Sequence, residues 1–128
     1  MNELAPKAPE RIDAAALTAA AVDAAGAIEL AHLFVETTGQ DWAAIDAAWR
    51  ERNHDTLGRQ AHALRGSLAL VGARAACAHA LAIETACEEG RFEGLAAHLD
   101  ALREELSAAR NDMELFALTH SDPVAPAR

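Results

Sequence analysis

An all-α fold, an antiparallel four-helix bundle with a short additional N-terminal helix, is predicted for this chain by three observations. Hydrophobic residues make up 52% of the 128, alanine is the largest part of that share, and tyrosine is absent. With valine and isoleucine also sparse, little is available to build strands, while alanine is the strongest helix former and lets helix backbones approach closely. Apolar residues recur at three- and four-residue spacing: Leu57, Ala61, Leu64, Leu68 and Val71 fall within a narrow arc at about 100° per residue. The connections between such stretches are short, which favours antiparallel neighbours.

Taken in order, residues 1–10 carry Pro6 and Pro9 and are expected to form a flexible lead. Residues 11–118 are expected to form the bundle. Asp13 is placed as the cap of a short helix reaching about Ala24, interrupted by Gly26. The pattern Ile28, Leu30, Leu33, Phe34, Ile45, Ala48, Trp49 reads as one long helix. Its weak spot is Gly39, because one glycine costs only about 1 kcal/mol and no proline forces a break. Asn53-His54-Asp55 starts the next helix, with Asp55 as its expected N-cap, and Gly72 closes it. A further helix covers about 73–89 along Ala76, Ala80, Ile83 and Cys87, and ends at Gly90. The last covers about 92–118 through Leu95, Leu99, Leu102, Leu106, Met113 and Phe116. Residues 119–128, with Pro123 and Pro126, are expected to be a disordered tail.

The formal charge of -9 and the scatter of the basic residues argue against a nucleic-acid footprint. No run is long and apolar enough to cross a bilayer, and the N-terminal residues lack the pattern of a secretory signal. Cys77 and Cys87 lie about 15 Å apart along one helix at 1.5 Å rise per residue, too far to bridge. These features predict a cytoplasmic monomer without membrane insertion.

Against that background one residue is displaced from the apolar seam of its helix. His62 projects roughly 140° from the Leu57–Leu68 arc, with Gly58 and Ala69 on its near side, Gly66 and Arg59 beyond, and Arg65 close by. A bundle of this kind leaves no cleft, so the imidazole is expected on the outside, near the middle of the bundle. Neutral imidazole is a nucleophile at physiological pH. A mid-helix glycine one turn on costs about 1 kcal/mol against alanine, which in so alanine-rich a chain points to a steric reason.

The run His62-Ala63-Leu64-Arg65-Gly66-Ser67, with Gly72 ten positions after the histidine and Leu81-Ala82-Ile83-Glu84 beyond, resembles the signature of histidine-containing phosphotransfer (HPt) domains. The resemblance covers roughly residues 24–118 as a helix plan, and the identities that carry it lie within 61–84. It implies a phosphorelay intermediate. His62 would accept a phosphoryl group from a receiver-domain aspartyl-phosphate and pass it to the aspartate of another receiver, as in a hybrid sensor kinase and its response regulator. It further implies a phosphocarrier rather than an enzyme, with no nucleotide site and no intrinsic cofactor, the receiver supplying Mg²⁺ and the catalytic groups.

Within that reading Arg65 is assigned to steady the phosphoryl oxygens by charge-assisted hydrogen bonds, and Gly66 to leave clearance. Arg59, Ala69 and Leu70 are assigned to the partner interface. Ser67, about 140° from His62, fits helix packing at least as well as a phosphate contact. Two positions depart from the family pattern. Arg65 stands where lysine is commoner, a planar fork in place of a point charge. On the next helix Glu84 and Glu88 occupy the stretch where a polar or basic residue is common, so no phosphate-binding role is placed there.

Two other readings compete. A helical adaptor could bind receiver or kinase domains without being phosphorylated. A metal-binding bundle is suggested by Glu29-Leu30-Ala31-His32, whose spacing puts both ligands on one helix face. That motif occurs once, and His79, His98 and His120 lack a glutamate three positions before them, so no metal site is assigned. No glycine-rich phosphate loop, nucleophile elbow or Cys/His pair points to an enzyme.

Overall fold

Among the described residues four long helices follow one another: α1 (Ala24–Arg50), α2 (His54–Leu70), α3 (Arg74–Glu89) and α4 (Leu95–His120). The computed structural model describes Ile12, Asp13, Ala15 and the continuous stretch 23–120. The lead, most of the short helix expected over 13–24, and residues 121–128 lie outside the described residues. Each helix packs on two neighbours, α1 on α2, α2 on α3, α3 on α4 and α4 back on α1, which closes an antiparallel four-helix ring. Among the described residues no helix is long and apolar enough to cross a membrane.

The core is the set of seams read from the 3.6-residue period. Leu57, Leu64 and Leu68 of α2, Ile83 of α3, and Leu95, Leu102 and Met113 of α4 are fully buried, with Ile45 of α1 opposite them. Alanines fill the closest approaches: Ala61, Ala76, Ala80 and Ala109 are buried between larger neighbours. The α2–α3 seam is the most extensive, and Gly58 shows why. A Cβ there would stand 3.0 Å from Cys87 Cβ, so the missing side chain sets how near the two backbones come.

The long first helix is continuous, as expected, and its glycine has a tertiary reason. At Gly39 an added Cβ would lie 2.9 Å from the Arg110 guanidinium. That guanidinium reaches from α4 to donate two hydrogen bonds, at 3.2 and 3.3 Å, to the Val35 carbonyl of α1. One residue further into the seam, Thr38 is buried but satisfied, its hydroxyl donating to the Phe34 carbonyl at 2.6 Å.

Two helix starts differ from expectation. Gly26 does not interrupt a helix; it lies in the first turn of α1, where its N–H donates to the Asp23 carboxylate at 2.8 Å. The cap of α2 is Asn53 rather than Asp55. Asn53 Oδ1 accepts the Thr56 N–H at 3.1 Å, and Asp55 is already inside the first turn, where its charge complements the helix dipole and pairs with Arg59.

The turns end the helices as the glycines suggest. After α2, Gly72 adopts a left-handed φ of +71° while its N–H bonds the Ala69 carbonyl and the Ala73 N–H bonds the Leu68 carbonyl. Those two bonds are a Schellman closure. The same pair of bonds closes α1, but there the left-handed position belongs to Arg52, at φ +58°. Gly90, at φ +68°, caps α3. At the third turn α4 continues to His120, two residues past its expected end.

Candidate functional site

His62 stands on the outer face of α2, its side chain 65% exposed, in register with His54, Gly58 and Gly66 at four-residue steps. Its Nδ1 lies 2.6 Å from Glu84 Oε2 on α3. The other oxygen of the same carboxylate accepts a hydrogen bond from Arg65 Nε at 3.0 Å. One carboxylate therefore ties the histidine to the arginine three positions later, across the α2–α3 seam.

The protonation of this group follows from its contacts. Burial by itself pushes the Glu84 carboxyl upward, but the hydrogen bonds and charges of Arg65 and His62 together outweigh it and hold the group below its ordinary value of 4.5. An ionised carboxylate only accepts, so the 2.6 Å contact assigns the proton to His62 Nδ1. With that tautomer the Arg65 NH2 group, 3.3 Å from Nδ1, is a close neighbour and not a donor to it. The lone pair of the neutral ring is then on Nε2.

Gly66 lies one turn beyond His62, with no heavy atom within 4 Å of where its Cβ would be. The open space there faces outward, so packing within the bundle does not explain the glycine. On the opposite side of His62, Gly58 has the reverse character, in contact with Cys87. Burial pushes the Cys87 thiol up, which keeps it protonated and unreactive.

Beside the imidazole the expectation of a bundle without a cleft is not met. A groove of about 480 Å³ runs between α2 and α3, lined by His54, Gly58, Arg59, His62, Glu84 and Glu88 among others. It exists because the glycine and the small cysteine bring the helix backbones together while longer side chains stand on either rim. Beyond it, the His54 ring stacks on Phe92 with centroids 3.8 Å apart and planes 17° apart.

The other sequence-assigned residues divide between two sides of α2. Arg59 lines the same groove as His62 and pairs with Asp55 at 3.1 Å. Leu70, half exposed, and Ser67 turn toward α1, around a small hollow shared with Leu33 and Thr37, while Ala69 is exposed between the two sides. Ser67 is thus apart from the imidazole. Glu29 and His32 are exposed on α1, and among the described residues no three His, Cys, Asp or Glu side chains gather as metal ligands.

The family model for the Hpt domain matches residues 29–112, more than half of the chain and all of the helices that build this site. The chain belongs to the Hpt domain family. Hpt domains serve histidine phosphotransfer in two-component signalling and interact with receiver domains there. No match to a curated protein or to a solved structure was found.

Sequence reasoning missed the part that Glu84 takes in this Hpt domain. It weighed the glutamate only as a phosphate ligand, for which its charge is wrong, and set it aside. The geometry gives it a different task, holding the ring of the histidine. The signal was the identity of an acidic residue on the neighbouring helix; the missing information was the register of α3 against α2.

Proposed function

We propose that this Hpt domain is a phosphorelay intermediate, with His62 as the phosphoryl carrier between the aspartates of two receiver domains. The observation that carries the reading is the Glu84–His62 contact at 2.6 Å on an imidazole that is 65% exposed. It supports the outer nitrogen, Nε2, as the nucleophile of this reading.

In the transfer the Nε2 lone pair attacks phosphorus in line with the acyl phosphate, the N–P bond forms, and the bond from phosphorus to the aspartyl oxygen breaks, returning a carboxylate to the receiver. The ring then bears a phosphoryl group on one nitrogen and a proton on the other. Its positive charge is balanced by Glu84, which needs no proton transfer to do so. The reverse sequence delivers the group to the second receiver.

Arg65 steadies the phosphoryl oxygens with the guanidinium nitrogens that Glu84 does not hold, and Gly66 keeps the approach clear. Arg59, in the groove beside His62, and the exposed Ala69 meet the partner surface near the reacting atoms, while Leu70, on the α1 side of α2, is left to the edge of that surface. The domain contributes position and charge, while Mg²⁺ belongs to the receiver, so no cofactor of its own enters the reaction.

The test is to incubate the protein with a phosphorylated receiver and recover label that is acid-labile and alkali-stable. Label on the wild type and none on His62→Gln is the expected result. Equal label on the variant, or none on the wild type, removes the proposal.

A further inference from the structure

Away from the phosphoryl site, a second pair of histidines meets across the α3–α4 seam. His79 of α3 and His98 of α4 bring their Nδ1 atoms to 3.2 Å, with ring centroids 5.5 Å apart and planes inclined at 50°. Both residues are half-buried, and each is carried by backbone that the core fixes: Ala76 and Ala80 beside His79, and Leu95 and Leu99 beside His98, are all buried. By itself the contact is a hydrogen bond in which one ring donates its Nδ1–H and the other offers a lone pair, at the long end of the range for an N–H donor. The same separation is what a tetrahedral Zn²⁺ asks of two ligands. With Zn–N bonds of about 2.0–2.1 Å, neighbouring nitrogens stand about 3.3 Å apart. His98 also lines an open hollow of about 440 Å³ together with Thr85, Glu89 and Glu93, so water can reach the remaining positions on an ion held there.

We propose that His79 and His98 form a two-histidine site for Zn²⁺, with water completing the tetrahedron. Both Nδ1 atoms supply a lone pair to the ion. The ring that donated its Nδ1–H becomes the Nε2–H tautomer, its proton passing between the nitrogens through solvent, so the neutral pair releases no net proton. The two rings point at each other, and an outward turn of each brings their lone pairs to a common point. Two protein ligands hold zinc less tightly than the three or four of catalytic and structural sites, so the ion exchanges and its effect is graded with zinc concentration. That effect is a clamp of α3 on α4. The site stands apart from the transfer chemistry: His79 lies five residues before Glu84 on α3, about 140° round the helix, and turns to α4 where Glu84 turns to His62. It is therefore independent of the relay reading.

The experiment uses the full chain at neutral pH, labelled with ¹⁵N in histidine and stripped of metal by a chelator that is then removed. Zinc sulfate is titrated in, the imidazole nitrogens are followed by NMR, and calorimetry gives the stoichiometry. The expected result is one ion per chain, with the Nδ1 resonances of His79 and His98 shifting together and both rings ending as Nε2–H tautomers. His79→Gln and His98→Gln, checked for folding by circular dichroism, should each weaken binding about tenfold or more. Zinc should raise the melting temperature of the wild type progressively with its concentration, and leave that of the variant carrying both substitutions unmoved. His32→Gln is the control, because Glu29 and His32 on α1 have the other spacing suited to a metal; it should bind zinc as the wild type does. Shifts of only one of the two rings or of other histidines alone overturn the site, since the wild type reports them without any variant. So do undiminished affinity in His79→Gln and His98→Gln, a melting temperature raised equally in the double variant, or loss of binding in His32→Gln. The contact is then a hydrogen bond only.

Discussion

Glu84 and His62 face each other from adjacent helices with 2.6 Å between carboxylate oxygen and Nδ1, and the same carboxylate holds Arg65 at 3.0 Å. A nucleophilic imidazole has two nitrogens of similar basicity, and which one is free depends on what the other meets. Here the buried side of the ring meets an anion, so the exposed side carries the lone pair.

Replacement of Glu84 is therefore expected to act on the tautomer. In Glu84→Ala the Nδ1–H and Nε2–H forms should both be populated, visible in the ¹⁵N chemical shifts of a histidine-labelled sample, and single-turnover phosphorylation should slow by about tenfold or more. A wild-type ring found mainly as the Nε2–H tautomer contradicts the assignment.

The same carboxylate sets a pH dependence of stability. Its folded-state value is lowered, so the contribution it makes is present in full above the ordinary value of 4.5 and is lost as pH falls through the lower folded value. Wild type and Glu84→Gln, compared by urea denaturation, should differ at neutral pH and converge as the pH drops well below 4.5. Curves that stay apart in acid would show that packing, not charge, separates the two proteins.

Arg65 is expected to matter more to the chemical step than to docking. Arg65→Ala should lower the transfer rate about tenfold or more while changing receiver affinity by less than about threefold, if its guanidinium meets the moving oxygens rather than the partner surface, as proposed. An effect on affinity alone would remove it from the phosphoryl group.

The two glycines flanking His62 should respond to alanine in opposite ways. Gly66→Ala meets nothing within 4 Å and relieves a mid-helix glycine, so unfolding free energy should rise by about 0.5–1 kcal/mol. Gly58→Ala puts a methyl 3.0 Å from Cys87 Cβ, an atom fixed to the α3 backbone, and the strain should cancel that gain or exceed it. Bulk at position 66 has its cost elsewhere: Gly66→Phe should remain folded and lose transfer.

The turns offer a stability test independent of the site. Arg52 holds a left-handed φ of +58°, so Arg52→Gly should stabilise the protein by about 1 kcal/mol. Gly72→Ala should do the reverse and cost more, since its φ is +71° and the new Cβ would stand 2.5 Å from Asp13 Cβ. Thermal melts of the two variants should move in opposite directions.

Much of this protein is determined by its sequence alone, because the properties concerned are local or periodic. The 3.6-residue spacing of Leu57, Ala61, Leu64 and Leu68 decides which face of α2 is buried and hence that His62 is outside. Left-handed φ values at Gly72 and Gly90 follow from the chemistry of glycine. What only the tertiary structure decided depends on the register of one helix against another. No periodicity along α3 says which of its residues stands level with His62, so Glu84 read as a misplaced charge until the helices were packed. The groove has the same origin: Gly58 and Cys87 each look like an ordinary small residue, and only their meeting brings the backbones close enough to leave a slot between the longer side chains. Asn53 took the cap from Asp55 for a related reason. Both residues can cap a helix, and the choice fell to the one placed by the closure of α1, whose N–H is already bonded to the Ala48 carbonyl.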